Sequence, residues 1–180
     1  MQFIILDLEA TCWQGNAMDR RPEIIELAAF RVNRYGEWID QFQRFVKPVD
    51  HPRLSAYCTE LTTITQEQVN KAKTFHDVIQ SFQDWLELED TTPLICTWGA
   101  KDMEIIRDEC KRHSYDAIFL PSSINLKAQY ARMNKLPKEV GLQKALEFME
   151  IEFEGTPHRA IDDAYNTTQL FLRLMDRWVY

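Results

Sequence analysis

The segment that most constrains the fold is the first one, residues 2–9, with the sequence QFIILDLE. Its three consecutive apolar residues would make both faces of an extended strand apolar, and a strand of this kind belongs inside a sheet that is covered on both sides. The strand nevertheless ends in two carboxylates, Asp7 and Glu9, and the next basic residue along the chain is Arg20. The sequence therefore predicts a central strand whose end carries two acids without a local basic partner.

The segments that follow extend this strand into a sheet. Residues 23–33 predict a second strand, and the alternating segment 39–48 predicts a third, with the turn sequence RYGEW between them. Such a short connection indicates an antiparallel meander. Two later apolar segments, residues 93–98 and the short segment 117–121, are also predicted to be strands.

Helical patterns dominate the rest of the chain. The TQEQ sequence at 65–68 is typical of a capping box that opens a short helix, and apolar residues at helical spacing predict a longer helix from Thr74. Further helices are predicted at residues 101–112, 124–133, 139–149 and 160–178. Strands followed by helices, with one late crossover strand, indicate an α/β fold with a mixed β-sheet flanked by α-helices.

Length and composition narrow the class of protein. A chain of 180 residues predicts a single domain over residues 1–180. There is no apolar run long enough for a membrane span and no signal-peptide pattern, so a cytoplasmic protein without membrane contact is expected. The four cysteines form no C-x-x-C pair and are expected to be reduced thiols. The net charge of −7 argues against a passive nucleic-acid binder, but not against an enzyme that holds cations.

Acidic residues recur at the ends of core elements. Asp7 and Glu9 are two residues apart on a strand, so their side chains point to the same side of the sheet. Asp102 follows the predicted strand 93–98, near the start of a helix. Each acid has a simpler explanation, either a solvated strand end or a helix N-terminus that favours negative charge.

A third acidic segment, HRAIDDAYNT, places His158 before Asp162 and Asp163. The other histidines, at positions 51, 76 and 113, have no such acidic neighbours and are expected at the surface. Oxygen-rich clusters suit hard cations such as Mg²⁺ or Mn²⁺. A pair of such ions catalyses phosphoryl displacement, and a nearby histidine can deprotonate water. The partners of the two strand acids are therefore hypothesised to be metal ions.

These segments resemble a known family. DLEATC, WGAKD and HRAIDD resemble the three exonuclease motifs of the DEDD superfamily, and the His-x4-Asp spacing resembles its DEDDh branch. RLSAYCTELTTITQEQV is similar to the enhanced-RNAi and KapD-type 3′–5′ exonucleases. The resemblance implies a ribonuclease H-like fold, two divalent cations (Mg²⁺ or Mn²⁺), and hydrolysis of single-stranded 3′ ends, with RNA favoured, to 5′-mononucleotides.

The resemblance also implies a role for each matching residue. The metal ligands would be Asp7, Glu9, Asp102 and Asp163, and all four would be catalytic together with His158 as the general base. In a continuous helix His158 and Asp162 would instead share one face, at i and i+4, whereas the family pattern selects Asp163.

For the substrate, the resemblance places the backbone of Ala10 and Thr11 against the terminal nucleotide, and Tyr57 and Leu61 against terminal bases. Ordinary core packing is the alternative for Tyr57 and Leu61. Relatives often carry an aromatic residue before the second-motif aspartate, whereas Lys101 stands here.

Two rival functions follow from the same motifs. One is a DNA 3′–5′ exonuclease of the proofreading or repair type. The other is a regulatory binding module that retains the exonuclease fold without its chemistry, against which the presence of all five catalytic positions argues.

Overall fold

A computed structural model describes residues 2–15, 20–88 and 92–180, and its centre is a six-stranded mixed sheet. The strands are β1 (Gln2–Ala10), β2 (Ile24–Asn33), β3 (Trp38–Lys47), β4 (Lys73–Thr74), β5 (Leu94–Thr97) and β6 (Ser123–Asn125). Their spatial order is β4-β3-β2-β1-β5-β6. The predicted α/β fold with a mixed sheet flanked by helices is thereby confirmed.

The pairing follows the expected meander and crossover. β1, β2 and β3 are antiparallel neighbours, and β5 lies parallel to β1 on its other side, with Leu6 paired to Thr97. β1 therefore occupies the interior of the sheet, as its apolar sequence predicted. The parallel pair brings the carboxyl ends of β1 and β5 to one edge, where crevices form in open α/β sheets.

Helices cover both faces of the sheet. They are α1 (Ala56–Thr62), α2 (Gln66–Lys71), α3 (Phe75–Leu86), α4 (Lys101–Arg112), α5 (Leu126–Met133), α6 (Leu142–Phe148) and α7 (Ala160–Arg173). Side chains of β1 alternate between the faces. Ile4 and Leu6 pack into a core with α3 and α4, whereas Phe3 and Ile5 pack into a second core with α5, α6 and α7.

The structure departs from the predicted elements at several points. The segment predicted as a strand at 117–121 contains a 3₁₀ helix, Ala117–Phe119, because Asp116 accepts a hydrogen bond from the backbone N–H of Ile118; the edge strand begins later, at Ser123. The last helix ends at Arg173 rather than at 178. Helix α1 was not predicted; it begins after Ser55, whose hydroxyl accepts the N–H of Cys58.

Several smaller expectations are also answered. The capping box at Thr65 and Gln68 is present. All four cysteines are free. Across the described part of the chain, no helix is both long and apolar enough to cross a membrane. His113 was expected at the surface without acidic neighbours; it is instead half-buried, stacked on Phe75, with Nε2 3.7 Å from Glu109 Oε2.

Candidate active site

The end of β1 directs two acids toward α7. Asp7 and Glu9 continue the row of side chains begun by Phe3 and Ile5, on the face that α7 covers. A β-bulge follows directly, because Glu9 pairs with Glu26 whereas Ala10 pairs with Ile24. The bulge ends the regular ladder beside the two carboxylates, as bulges next to active sites often do.

Thr11 fixes the chain after the bulge. Its N–H donates to the Glu23 carbonyl at 2.8 Å, and its hydroxyl accepts the Glu23 N–H at 2.9 Å. Thr11 is 2% exposed, and these bonds commit its N–H and hydroxyl oxygen to the protein. The contact of the Ala10 and Thr11 backbone with a terminal nucleotide stays a prediction. The Thr11 N–H is not available for this contact, because it already donates to the Glu23 carbonyl.

Asp102 reaches the same edge of the sheet from β5. This strand ends at Thr97, beside Leu6 of β1, and α4 begins four residues later at Lys101. Asp102 thus lies in the first turn of α4, where unpaired backbone N–H groups favour a carboxylate. Lys101, the departure from the family pattern, is exposed.

The histidine segment is held in a bend before α7. His158 has φ = +63°, the left-handed region, so it does not continue the helix. Asp163 Oδ2 accepts the His158 N–H at 2.9 Å, and Asp162 Oδ2 accepts the Thr156 N–H at 2.9 Å. Asp162 also lies against Gly155 (φ = +89°), where an added Cβ would approach Asp162 Cγ to 2.5 Å. Asp162 thus stabilises the bend.

One cavity joins the candidate residues. Its volume is about 290 Å³. It is lined by Asp7, Leu8, Glu9, Trp98, Gly141, Leu142, Gln143, Pro157, His158 and Asp163. Ligand atoms of Glu9, His158 and Asp163 lie within 4.8 Å of one another. Asp162 and Asp102 are not part of the lining, but the Asp102 charge contributes to the raised pKa of Asp7.

Four acids form the acid cluster: Asp7, Glu9, Asp102 and Asp163. The pKa of each is raised, and burial is the largest cause in each case. The pKa of Glu9 rises to about 8, that of Asp102 to about 7 and that of Asp163 to about 6. The pKa of Asp7 lies well above its ordinary value because of burial and the charges of Asp102, Asp163 and Glu9. Neighbouring acids therefore disfavour each other's ionised forms.

This donor set fits divalent cations. Four half-buried carboxylates converge from three elements, and no Lys or Arg forms an ion pair with any of them in the described residues. Carboxylate oxygens are the ligands that Mg²⁺ and Mn²⁺ prefer. A bound cation would supply the positive charge that the cluster lacks and would restore the ionised form of each acid.

The stability of the metal-free protein is expected to fall as pH rises. The folded-state pKa values of Asp163, Asp102 and Glu9, about 6, 7 and 8, exceed the ordinary values of these groups, 3.8, 3.8 and 4.5. Folding therefore favours the protonated acids. Their contribution to stability is complete below about pH 4, and it is lost progressively as the pH rises from about 4 to about 8. Because ligands must be ionised, the gain in Tm from Mn²⁺ should be larger at pH 8 than at pH 5. Thermal unfolding in EDTA measures the fall in stability with pH, and thermal unfolding in Mn²⁺ measures the gain in Tm. An equal gain in Tm from Mn²⁺ at the two pH values would contradict the assignment of these acids as metal ligands.

Tyr57 and Leu61 lie on α1 and line a second cavity of about 540 Å³, together with Gln14, Ala56 and Glu60. Tyr57 is 39% exposed, so it is not a core residue. Their accessibility is compatible with a contact to a base, which stays a prediction.

Two charged residues beside the cluster were missed by the sequence reasoning. Glu26, in β2, is 0% exposed, and its carboxylate binds the guanidinium of Arg159. A carboxylate inside the apolar strand IIELAAF was a signal that a buried partner exists, but only the fold identifies that partner, 133 residues away.

Comparison with known proteins places this geometry in a family. A model of the exonuclease family RNase_T matches residues 4–171. The chain belongs to the exonuclease family. Among curated exonucleases it is similar to 3′-5′ exoribonuclease 1 of Homo sapiens, 33% identical over 180 residues, which cover 95% of this chain and 51% of the relative. It is also similar to 3′-5′ exonuclease Snipper of Drosophila melanogaster, 33% identical over 193 residues, which cover 96% of this chain and 68% of the relative.

Comparison with solved structures supports the same family membership. The nuclease domain of 3′hExo, described as a DEDDh family member bound to rAMP, superimposes with a TM-score of 0.90 at 31% identity, over 97% of this chain and 92% of that one. The predicted membership of the DEDDh exonucleases is confirmed, and this membership implies divalent metal ions. The chain spans about half the length of human 3′-5′ exoribonuclease 1 and a smaller share of some other relatives.

Proposed function

We propose that this chain is a metal-dependent 3′–5′ exonuclease that removes 5′-mononucleotides from single-stranded nucleic acid, with RNA as the preferred substrate. The observation that carries the proposal is the convergence of four acids with raised pKa values at one sheet edge, three of which line an open cavity together with His158. A site of this kind is stable in its ionised form only when cations are bound.

In this proposal the acids hold two divalent cations, Mg²⁺ or Mn²⁺, through Asp7, Glu9, Asp102 and Asp163. The cations supply Lewis acidity toward the scissile phosphate and make water more acidic. His158, exposed at the mouth of the cavity, accepts a proton from the attacking water. The bond between phosphorus and the 3′ oxygen of the preceding nucleotide breaks. The products are a 5′-mononucleotide and a chain shortened by one residue with a new 3′ hydroxyl.

The preference for RNA rests on the relatives. The human and the insect relative are called a 3′-5′ exoribonuclease and a 3′-5′ exonuclease respectively, and the 3′hExo domain was solved with rAMP. A contact to the ribose 2′ hydroxyl would distinguish RNA from DNA. The exposed Tyr57 on α1 offers a ring on which any base can stack, so weak base preference is expected.

The test compares matched 5′-labelled substrates that differ in one feature. Single-stranded RNA, single-stranded DNA of the same sequence, an RNA hairpin and an RNA with a blocked 3′ end are incubated with Mn²⁺ and resolved on a gel. We expect a ladder shortened from the 3′ end, fastest for single-stranded RNA and absent for the blocked RNA. Faster degradation of DNA would favour the repair-type alternative, and binding without any product would favour the regulatory module.

Adjacent aspartates provide a matched pair of variants. Asp163→Asn is expected to lower turnover to background, because the amide removes a negative ligand from the cavity. Asp162→Asn should retain turnover within about threefold, because the amide oxygen can still accept the Thr156 N–H that Asp162 now accepts. Initial rates on single-stranded RNA compare the two variants at equal folded concentration. The reverse result would mean that Asp162, not Asp163, is the ligand.

A further inference from the structure

Glu26 is a buried carboxylate outside the candidate metal cluster. It lies opposite Glu9 in the β1–β2 ladder, is 0% exposed and does not line the cavity. Its two oxygens accept four hydrogen bonds: from Arg159 Nε and Nη2, both at 3.0 Å, from the Ala160 N–H at 3.1 Å and from Gln43 Nε2 at 2.7 Å. Since a buried carboxylate requires such partners, Glu26 fixes two consecutive residues of the histidine segment to β2.

Those two residues directly follow His158. The backbone of His158 is in the left-handed region, which non-glycine residues adopt rarely unless the surroundings impose it. Asp163 accepts the His158 N–H, and beyond His158 the Glu26 carboxylate accepts hydrogen bonds from the Arg159 guanidinium and from the Ala160 N–H. The conformation of His158 is therefore imposed from both sides.

The Arg159 guanidinium contacts two side chains of the sheet, Glu26 and Phe45. Its fork is engaged by Glu26 in a bidentate pair, its side chain is 19% exposed, and it lies over the ring of Phe45 at 5.4 Å. Bidentate arginine–carboxylate pairs are geometrically specific. The pair thus connects the start of α7 to β2 and β3 as a rigid unit.

We infer that Glu26 and Arg159 are positioning residues, which hold the histidine loop (residues 154–159) so that His158 faces the acid cluster. The inference rests on the proposed function, in which His158 is the general base. Neither residue needs to contact substrate or cation. Outer residues that orient active groups commonly account for ~10–100-fold in activity.

The test uses the paired substitution Glu26→Gln/Arg159→Met, because it removes the ion pair without leaving a buried charge unpaired. We expect kcat on single-stranded RNA to fall ~10–100-fold, with KM and the Mn²⁺ affinity within about threefold of wild type. Hydrogen exchange of a peptide that covers the histidine loop should become faster. Arg159→Lys, which keeps the charge but not the fork, should give an intermediate kcat.

A second ion pair, between the buried Arg31 of β2 and the partly exposed Asp40 of β3, provides the control. Arg31, 1% exposed, donates to Asp40 at 3.0 Å, and Asp40→Asn weakens that pair. This control should lower Tm without changing kcat or the hydrogen exchange of the histidine loop. Arg31 lies opposite Ile4, toward the end of β1 that is remote from the acids. A merely structural role for Glu26 and Arg159 predicts the same pattern for both pairs.

The outcomes distinguish failure of the positioning role from failure of the proposed exonuclease function. Unchanged exchange of the histidine loop in the paired variant would overturn the inference, whatever the activity. Faster exchange with unchanged kcat would overturn the positioning role. If wild type itself produces no mononucleotide, the proposed function fails, and the positioning role fails with it.

Discussion

Replacing Asp7 by alanine is expected to abolish turnover and leave the fold intact. Asp7 lies at the centre of the cluster, where burial and the charges of Asp102, Asp163 and Glu9 all raise its pKa. Removing it deletes one of the four residues that would hold the proposed cations, so both metal binding and hydrolysis should be lost. Asp102→Ala should have the same effect from the α4 side.

The same substitution should not destabilise the metal-free protein, and this distinguishes a functional acid from a structural one. Because the neighbouring acids repel each other, removal of Asp7 lowers their mutual repulsion. We expect Tm in EDTA at pH 8 to stay equal or increase, and the Tm gain from Mn²⁺ to disappear. Circular dichroism and thermal unfolding test both. Retained turnover, or a fall in Tm of the metal-free protein, would contradict the role assigned to Asp7.

Replacing His158 is expected to lower the rate by ~10²–10⁴-fold, the usual scale of general base catalysis. His158→Asn is the more informative variant, because asparagine tolerates the left-handed backbone that His158 adopts at φ = +63°. The amide can orient water but cannot take its proton. His158→Ala should give a similar loss, together with some loosening of the loop.

Metal binding distinguishes the replacement of His158 from the replacement of an acid. The Tm gain from Mn²⁺ should persist in His158→Asn, because the four carboxylates remain. Single-turnover rates and thermal shifts in Mn²⁺ measure the two properties. A rate equal to that of wild type would remove His158 from the mechanism. A lost Mn²⁺ shift would instead make His158 a ligand, an arrangement that its proximity to Glu9 and Asp163 would also permit.

Sequence patterns predicted β1, β2 and β5 because these strands are apolar over continuous runs, and they predicted β3 because its apolar and polar residues alternate. These patterns predicted the wrong element where local hydrogen bonds determine the backbone conformation. The apolar segment 117–121 has strand-like composition, but the Asp116 side chain caps a 3₁₀ turn there. In the last helix the apolar periodicity continues to Trp178, although the helix ends at Arg173, because a 3₁₀ turn at Met175–Arg177 carries the stripe onward.

For the site, the sequence predicted which acids meet but not how they are held. Asp7 and Glu9 lie at the end of β1 and Asp102 follows the end of β5, and the parallel pairing of these two strands brings their ends together. The choice between Asp162 and Asp163 depends on the bend at His158, which the periodicity of a helix does not reveal. The contacts of Glu26 with Arg159 and Ala160 join residues more than 130 positions apart, so only the folded chain identifies them.

Hydrolysis of nucleic acid from its 3′ end is proposed to require divalent cations held by the four carboxylates. The most direct measurement is the first product released from single-stranded RNA labelled in its 3′-terminal nucleotide, with Mn²⁺ and with EDTA. We expect a labelled 5′-mononucleotide as the first product in Mn²⁺, and no product in EDTA. Release of a longer labelled fragment, of a 3′-mononucleotide, or of equal product in EDTA would contradict this proposal.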